Sequence, residues 1–499
     1  MSTSAATPLR IAVLAPDERP NTAGYASWIG SCSGVEVVQP PAELMPRFRV
    51  PADTAGLATW LLDVDDSVDA HVLSLDLLVH GGLIPSRLTD DPIVEVIARL
   101  DVLRRLRAPV SAYQVVTRLP HYDNPTRSRQ EPEYWATHGR RLFELSQAWD
   151  MHARKEASAE DVACALDAVP SEFRDDLVRR RLRNHTVNLA ALDLAAEGIV
   201  ADLVITSDDT APRGLPAADR GALAEWNDRL GTGALLYPGA DEVPSVLVSR
   251  VVSRALGVTP RVFVACPESE GLQRIAPYED VPVDRGIDRQ IHALGGIRVT
   301  EIETCDLVLM VHPPAEVPGD WTGSVEAQDS SSVSADIVAA AKTFLAAGHR
   351  VAVADVRYAN GSDPVLVEAL DKSGVLGQLV AYGGWNTAGN TLGTTLAAGV
   401  SPMHAPGPDA ARQRAQFLAT KIIKDGFYLP SLRVRLQDEL AVRGLSDPPL
   451  DELPALAERV AGELSAWAAR TQTLQGLRVT DVTWPWQYLF TADFRVTEV

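Results

Sequence analysis

Short apolar runs alternate with longer amphipathic stretches along most of the chain. The runs at 10–15, 110–116 and 350–354 are rich in Val, Ile, Leu and Ala and lack alternating polar positions. Such runs are typical of strands covered on both faces, and the stretches between them are typical of crossover helices. The pattern predicts parallel sheets. The other predicted strands are 35–39, 70–75, 202–206, 234–237, 261–265, 297–300, 306–311 and 378–381.

These strands are too many for a single eight-stranded barrel. We therefore predict two tandem Rossmann-like parallel-sheet α/β domains, at 1–258 and 259–425, with a charged helical insertion at 126–198. Residues 426–499 are predicted to form a C-terminal helical and Trp-rich β extension. The alternative is a distorted (β/α)8 barrel with extra strands. In either fold, catalytic side chains belong at the carboxyl ends of the strands.

Two local patterns refine this picture. The stretch LVAYGGWNTAGNTLGTTLAAG, at 379–399, predicts a short strand at 379–381, a Gly-rich bend, and a small-residue helix at 394–398 that Gly399 closes. Aromatic residues alternate at period two over 484–490, which predicts an edge strand or a strap packed on a domain. The alternative for this aromatic tail is the interface of a homo-oligomer.

The net charge limits the possible binding partners, and the cysteines indicate the cellular compartment. A net charge of −20 disfavours sequence-independent nucleic-acid binding and docking on an anionic membrane. The first apolar run is too short for a signal peptide or a membrane span, so we predict a cytoplasmic protein. The scattered cysteines lack any C-x-x-C pair and predict reduced thiols rather than a zinc site. They are Cys32, Cys164, Cys266 and Cys305.

Polar side chains, including carboxylates, follow nearly every predicted strand. For each residue alone, capping of the next helix is the structural alternative. As a set, they predict a carboxylate-lined pocket. The candidate catalytic residues are Asp17, Glu18, Asp76, Asp208 and Asp209, and the candidate substrate-binding residues are Arg19, Arg87, Arg118, Asp241, Asp355, Asn360, Trp385, Asn386 and Asn390.

The known cofactor and nucleophile motifs are missing from the sequence. Neither glycine run matches G-x-G-x-x-G or the P-loop, and no G-x-S-x-G elbow occurs. No H-x-H, H-x-x-H or H-E-x-x-H spacing occurs either. We therefore predict neither a cofactor nor a metal. A metal-dependent hydrolase that uses His80, His121 or His312 with the same carboxylates is kept as an alternative.

Carboxylates accompanied by Trp, Asn and Arg suit the recognition and hydrolysis of sugars. Glycoside hydrolysis needs an acid and a second carboxylate. The adjacent Asp208 and Asp209 are the first choice for the acid and orienting groups, because mutual repulsion in one pocket would raise one pKa. We predict a glycoside hydrolase acting on a small glycoside or oligosaccharide. A sugar-binding protein without turnover is the alternative from another class.

Six motifs also carry a resemblance to a known family. They are LAPDERPNT, SLDLLVHGGLIPSR, TSDDTAPRG, PGADE, ADVRYANGSD and AYGGWNTAGNTLGT. Together they resemble a bacterial family known as domain of unknown function 4127, over most of the chain. The resemblance implies that these loops belong together, and it implies no particular activity.

Overall fold

The computed structural model describes residues 8–124, 127–208, 210–323, 325 and 328–499. Within these residues, one sheet has six strands, and its four pairings from the first strand to the sixth are parallel. The strands are β1 (Arg10–Leu14), β2 (Glu36–Val38), β3 (Ala70–Ser74), β4 (Val110–Val116), β5 (Asp202–Ser207) and β6 (Leu235–Pro238). Their order is β2-β1-β3-β4-β5-β6.

A second sheet of five strands, counted over the same residues, is parallel throughout. Its strands are β7 (Arg261–Ala265), β8 (Ile297–Val299), β9 (Leu307–His312), β10 (Val351–Asp355) and β11 (Ala381–Gly383). Their order is β11-β10-β9-β7-β8. When each sheet is numbered from its own first strand, both follow the doubly wound order 2-1-3-4-5, and the first sheet adds a sixth strand. The prediction of tandem Rossmann-like sheets is confirmed, and the barrel alternative is wrong.

Helices connect the strands and form the C-terminal extension. They are α1 (Tyr25–Cys32), α2 (Thr54–Val64), α3 (Leu75–His80), α4 (Ile93–Ala98), α5 (Trp135–Ala153), α6 (Ala159–Asp167), α7 (Ser171–Ala196), α8 (Leu215–Leu230), α9 (Val243–Leu256), α10 (Val283–Ala293), α11 (Ser331–Ala346), α12 (Pro364–Lys372), α13 (Ala388–His404), α14 (Pro408–Ile423), α15 (Arg433–Val442) and α16 (Leu453–Arg470). Two further segments, Pro20–Gly24 and Lys424–Leu432, are π-helical. Such segments are rare and often occur at functional sites.

The described chain divides into two compact units, each built around one of the two parallel sheets. The N-terminal unit comprises residues 10–18 and 37–244, and the C-terminal unit comprises residues 8–9, 19–36 and 245–499. Apolar side chains of β1, β3, β4 and β5 pack with those of α2, α3 and α7 in the core of the N-terminal unit. Across the described residues, no helix combines the length and the apolar character needed to cross a membrane.

The stretch at 379–399 differs from its prediction at both ends. The strand begins at Ala381, later than predicted, and α13 runs past Gly399 to His404. Gly399 does not end the helix. A Cβ there would lie 2.8 Å from Leu307 Cδ2 and 3.4 Å from Ala352 Cβ, so glycine lets the buried helix pack closely on the second sheet.

The aromatic tail also differs from its prediction. Strands β12 (Leu477–Thr483) and β13 (Asp493–Glu498) form an antiparallel pair, and the aromatic residues lie in the turns between them. Trp486 has φ 63°, which no strand permits. Its ring lies under the guanidinium of Arg19, 4.4 Å from the centroid. The indole N–H of Trp484 donates to the Tyr428 hydroxyl over 2.7 Å, so both tryptophans pack within their own unit.

Candidate active site

The first sheet places predicted site residues at the carboxyl ends of its strands. From β1 the chain goes first to β2 and then to β3 on the other side of β1. In doubly wound sheets such a reversal marks the crevice where ligands bind. Asp17 follows β1 and Asp76 follows β3, whereas Asp208 and Asp241 follow β5 and β6 at the same edge.

Asp76 is a buried carboxyl group between β3 and β4. Ser74 caps α3 by accepting a hydrogen bond from the N–H of Leu77, which fixes the first turn that contains Asp76. The N–H of Val115 on β4 donates to Asp76 Oδ2 over 2.9 Å. Burial raises the pKa of Asp76 from 3.8 to about 7, although the Val115 N–H and Arg87 lower it. Asp76 therefore keeps its proton until the pH approaches neutrality.

Two arginines and two carboxylates form an ion cluster that acts electrostatically on Asp76. Arg87 donates to Glu131 Oε1 over 3.0 Å and also to Asp208 Oδ2. Arg118 donates to the same Glu131 oxygen over 3.0 Å, and its Nε lies 4.0 Å from Asp208 Oδ2. The side chains of Arg87 and Glu131 are each 4% exposed, whereas that of Asp208 is 18% exposed. Asp208 is thus the most accessible of these three groups.

The buried hydroxyl of Tyr113 donates to the carbonyl oxygen of Leu14 over 3.0 Å, and three carboxylates act on it electrostatically. Burial is the main reason why the pKa of Tyr113 is raised well above 10.0, and Asp17, Asp76 and Asp241 raise it further. The predicted carboxylates after β1, β3 and β6 therefore all act on the same hydroxyl group.

Glu18 and Glu242 are held by main-chain groups of the same unit. Glu18 Oε1 accepts a hydrogen bond from the N–H of Phe48 over 2.8 Å. Glu242 is fully buried, and its Oε2 accepts from the N–H of Ala240 over 3.0 Å. Both acids therefore also hold loops at this edge of the sheet. Asp209, the first-choice partner of Asp208, lies outside the described residues.

Glu131, Gln130 and Tyr122 were not predicted from the sequence. Gln130 Oε1 accepts from Arg87 over 3.3 Å and from Arg118 over 3.2 Å. Arg118 also donates to the Tyr122 hydroxyl over 3.3 Å. Glu131 and Gln130 lie at the start of the helical insertion. The candidate residues were chosen because they follow predicted strands, so these two were not among them.

The histidines of the metal-dependent alternative lie in different environments. His80 is buried, and neither ring nitrogen has a hydrogen-bond partner within the described chain. Burial, and then Arg183 and Arg99, lower its pKa well below 6.5, so the ring is neutral. His121 is exposed, with its ring 5.8 Å from that of Tyr122. Among the residues that the structure describes, no group of three or more His, Cys, Asp or Glu side chains could hold a metal ion.

The remaining predicted residues lie in the C-terminal unit, on or around the second sheet. Asp355 ends β10 and pairs in register with His312, the last residue of β9. Their side chains are joined by a contact of 3.1 Å between Asp355 Oδ1 and His312 Nδ1. Two buried residues, Asp363 and Arg357, complete a polar group at this edge, with 3.5 Å between Asp363 Oδ2 and Arg357 Nε.

Asn360 and Asn386 join two loops at the same edge. Both have positive φ, 63° and 52°, a conformation that asparagine tolerates better than most residues. The N–H of Asn360 donates to the carbonyl oxygen of Asn386 over 2.8 Å, and its side chain donates to Asp320 Oδ1 over 2.7 Å. In the first turn of α13, the N–H of Asn390 donates to the capping Thr387 hydroxyl over 3.4 Å.

Trp385 is buried at 3% exposure and forms one wall around a lysine. The Lys421 ammonium lies 4.9 Å from the Trp385 ring centroid and 4.6 Å from that of Tyr25. It also forms an ion pair of 2.7 Å with Asp425. Burial lowers the pKa of Lys421 to about 8, against the opposite effect of Asp425. The buried indole has no face open to a sugar in this structure, and the predicted stacking role stays a prediction.

Comparison with known families agrees with the motif resemblance. The model of the family described as "Protein of unknown function (DUF4127)" matches residues 11–495. A search of the curated proteins finds no match. The match spans both units and every strand-end loop described above.

Proposed function

The chain belongs to the DUF4127 family, and we propose that it is a glycoside hydrolase acting on a small glycoside or oligosaccharide. The main support is a pair of carboxyl groups in opposite environments at one sheet edge. Asp76 is buried and keeps its proton to near-neutral pH, whereas Asp208 forms an ion pair with Arg87. Hydrolysis of a glycoside needs both a protonated acid and an ionised carboxylate near the same bond.

In this proposal Asp76 is the general acid. It donates its proton to the glycosidic oxygen as the bond to the sugar carbon breaks. Asp208 is the second carboxylate, which either stabilises the positive charge on the sugar or activates the attacking water. Because Asp208 forms an ion pair with Arg87, we assign it the role of the carboxylate, and we assign the acid role to Asp76 rather than to the Asp208–Asp209 pair.

Neighbouring side chains offer the contacts that a sugar requires. Arg118, Gln130 and Tyr122 form one hydrogen-bonded set that can bind ring hydroxyls. Tyr122 and the exposed His121 supply aromatic rings against which the apolar face of a sugar can pack. Asp17 and Asp241 extend the polar surface toward β1 and β6.

The test is release of the aryl group from a panel of aryl glycosides, compared between wild type and Asp76→Asn. We expect Asp76→Asn to lower kcat/KM by about 10²- to 10⁴-fold on a poor leaving group. The loss should be much smaller on a dinitrophenyl glycoside, because that leaving group departs without a proton. Asp208→Asn should lower kcat/KM on both kinds of substrate.

Matched controls lie at the opposite ends of the same strands. Asp69 precedes β3 and accepts from the N–H of Arg10, and Asp202 begins β5 and accepts from the Ser111 hydroxyl. Asp69→Asn and Asp202→Asn should retain wild-type turnover. Full turnover by both Asp76→Asn and Asp208→Asn would refute the proposal. Aryl release that EDTA abolishes would favour a metal-dependent hydrolase, and thermal stabilisation by a sugar without product would favour a binding protein.

We also propose a cytoplasmic location and a small carbohydrate, rather than a nucleic acid, as the partner. The net charge of −20 supports the exclusion of nucleic acid. The free state of Cys32, Cys164, Cys266 and Cys305 supports a reducing compartment. Fractionation of cells that express the chain tests this location.

A further inference from the structure

The second sheet has its own polar centre, formed where β9 and β10 end. Asp355 is held by main-chain donors: the N–H of Asp363 donates to its Oδ2 over 2.7 Å, and the N–H of Arg357 donates to its Oδ1 over 3.2 Å. A carboxylate only accepts hydrogen bonds, so His312 Nδ1 must be the donor in their contact of 3.1 Å. The other ring nitrogen of His312, Nε2, faces Asp363 instead.

Three buried side-chain atoms meet at this centre without a hydrogen bond of normal geometry inside the described chain. They are His312 Nε2, Asp363 Oδ2 and Arg357 Nε. The buried Ser330 hydroxyl, which also lacks such a bond, lies near enough to Asp363 to lower the pKa of its carboxyl group. Asp363 Oδ2 lies 3.9 Å from His312 Nε2 and 3.5 Å from Arg357 Nε. The side chains of His312, Asp363 and Arg357 are 0%, 3% and 6% exposed. Buried polar atoms almost always have partners, so this group calls for an oxygen from outside the chain.

We propose that this centre binds a hydroxyl group of a polyhydroxylated ligand. A hydroxyl both donates and accepts, and these atoms offer both roles. The hydroxyl hydrogen can go to Asp363 Oδ2, and the hydroxyl oxygen can accept from Arg357 Nε. A single oxygen can lie about 2.8 Å from both of these atoms, since they are 3.5 Å apart.

The position of the centre favours a ligand over a purely structural water. It lies at the carboxyl ends of the strands, where doubly wound sheets bind their ligands. A second buried pair, His71 and Asp65, joins His71 Nε2 and Asp65 Oδ1 over 2.9 Å, but His71 lies at the amino-terminal end of β3. The Arg357 guanidinium disfavours a metal cation as the occupant, because like charges repel. The inference does not depend on the carboxylate pair of the N-terminal unit.

The test follows the histidine ring nitrogens by NMR in the full-length chain, during separate titrations with glycerol, myo-inositol and D-glucose. We expect the His312 Nε2 resonance, identified by its loss in His312→Asn, to shift saturably with at least one of these probes. The His71 resonances should not move. If none of the three probes shifts His312, water alone satisfies these atoms and the proposal is refuted.

Variants separate binding from folding. Asp363→Asn keeps an oxygen that can accept from the N–H of Val365, so the cap of α12 should survive. It should weaken binding of the responsive probe by about tenfold, because one charged hydrogen-bond partner is lost. His71→Asn, the matched control, should bind the probe as wild type does. Unchanged affinity in a folded Asp363→Asn protein would contradict the inference.

Discussion

The carboxyl edges of the two sheets carry different chemistry on the same strand order. At the first edge, Arg87 and Arg118 bind Glu131, and Arg87 also pairs with Asp208. At the second edge, a His–Asp pair lies beside an arginine and a further carboxylate whose facing atoms make no hydrogen bond of normal geometry among the described residues. The order of strands thus determines where polar side chains converge, while the loops determine what they can do.

The largest stability effect should come from removing the arginine of the first edge. Arg87→Gln removes the arginine that pairs with both Glu131 and Asp208 and leaves only Arg118 beside these carboxylates. We expect a loss of about 3 kcal/mol in the free energy of unfolding. Arg357→Gln, at the second edge, breaks only a long contact and should cost about 1 kcal/mol. Denaturant unfolding of both variants measures the difference. Equal losses would show that the two edges are not electrostatically distinct.

An effect of similar size, but dependent on pH, should follow from Asp76→Asn. The pKa of Asp76 is raised in the folded state, so wild type loses stability as the pH rises from about 4 toward 7. The asparagine side chain does not ionise, so the variant does not lose this stability. Its amide oxygen can still accept a hydrogen bond from the N–H of Val115. We expect the variant to gain on the order of 3 kcal/mol relative to wild type across this interval. Thermal or urea unfolding at a series of pH values tests this prediction. A stability gain that decreases as the pH rises would contradict it.

The smallest effect should come from the matching carboxylate of the second edge, Asp363. Burial and then Asp355 raise its pKa, but Ser330, His312 and the N–H of Val365 oppose this. Asp363→Asn should therefore also gain stability relative to wild type as the pH rises above the ordinary value of 3.8, by less than Asp76→Asn does. The same unfolding series measures both. A larger gain for Asp363→Asn would mean that the pKa of Asp363 is raised more than the pKa of Asp76.

The sequence predicted the strands well because buried parallel strands are continuous apolar runs, as in 351–354. It also located Asp76 and Asp208, since both directly follow such runs. The end of α13 was mispredicted because Gly399 serves close packing against Leu307 rather than a left-handed turn. That distinction depends on what lies opposite the glycine, which local sequence does not reveal.

The partners of the candidate residues could not be predicted for a related reason. His312 and Asp355 meet because β9 and β10 are neighbours with a defined register, and the sequence does not give the strand order. Glu131 reaches Arg87 from an insertion that interrupts the α/β pattern. Burial was equally hidden: nothing local to Asp76 indicates that its carboxyl group lies away from water.

The central claim is that the first edge keeps one carboxyl group protonated beside another that is ion-paired. The most direct measurement is an NMR titration of the aspartate carboxyl carbons in the isotope-labelled chain, with Asp76→Asn used to assign the resonance of Asp76. We predict that Asp76 titrates with a midpoint of about 7. A midpoint near 3.8, the ordinary aspartate value, would show that Asp76 cannot serve as the acid and would contradict the proposed division of roles with Asp208.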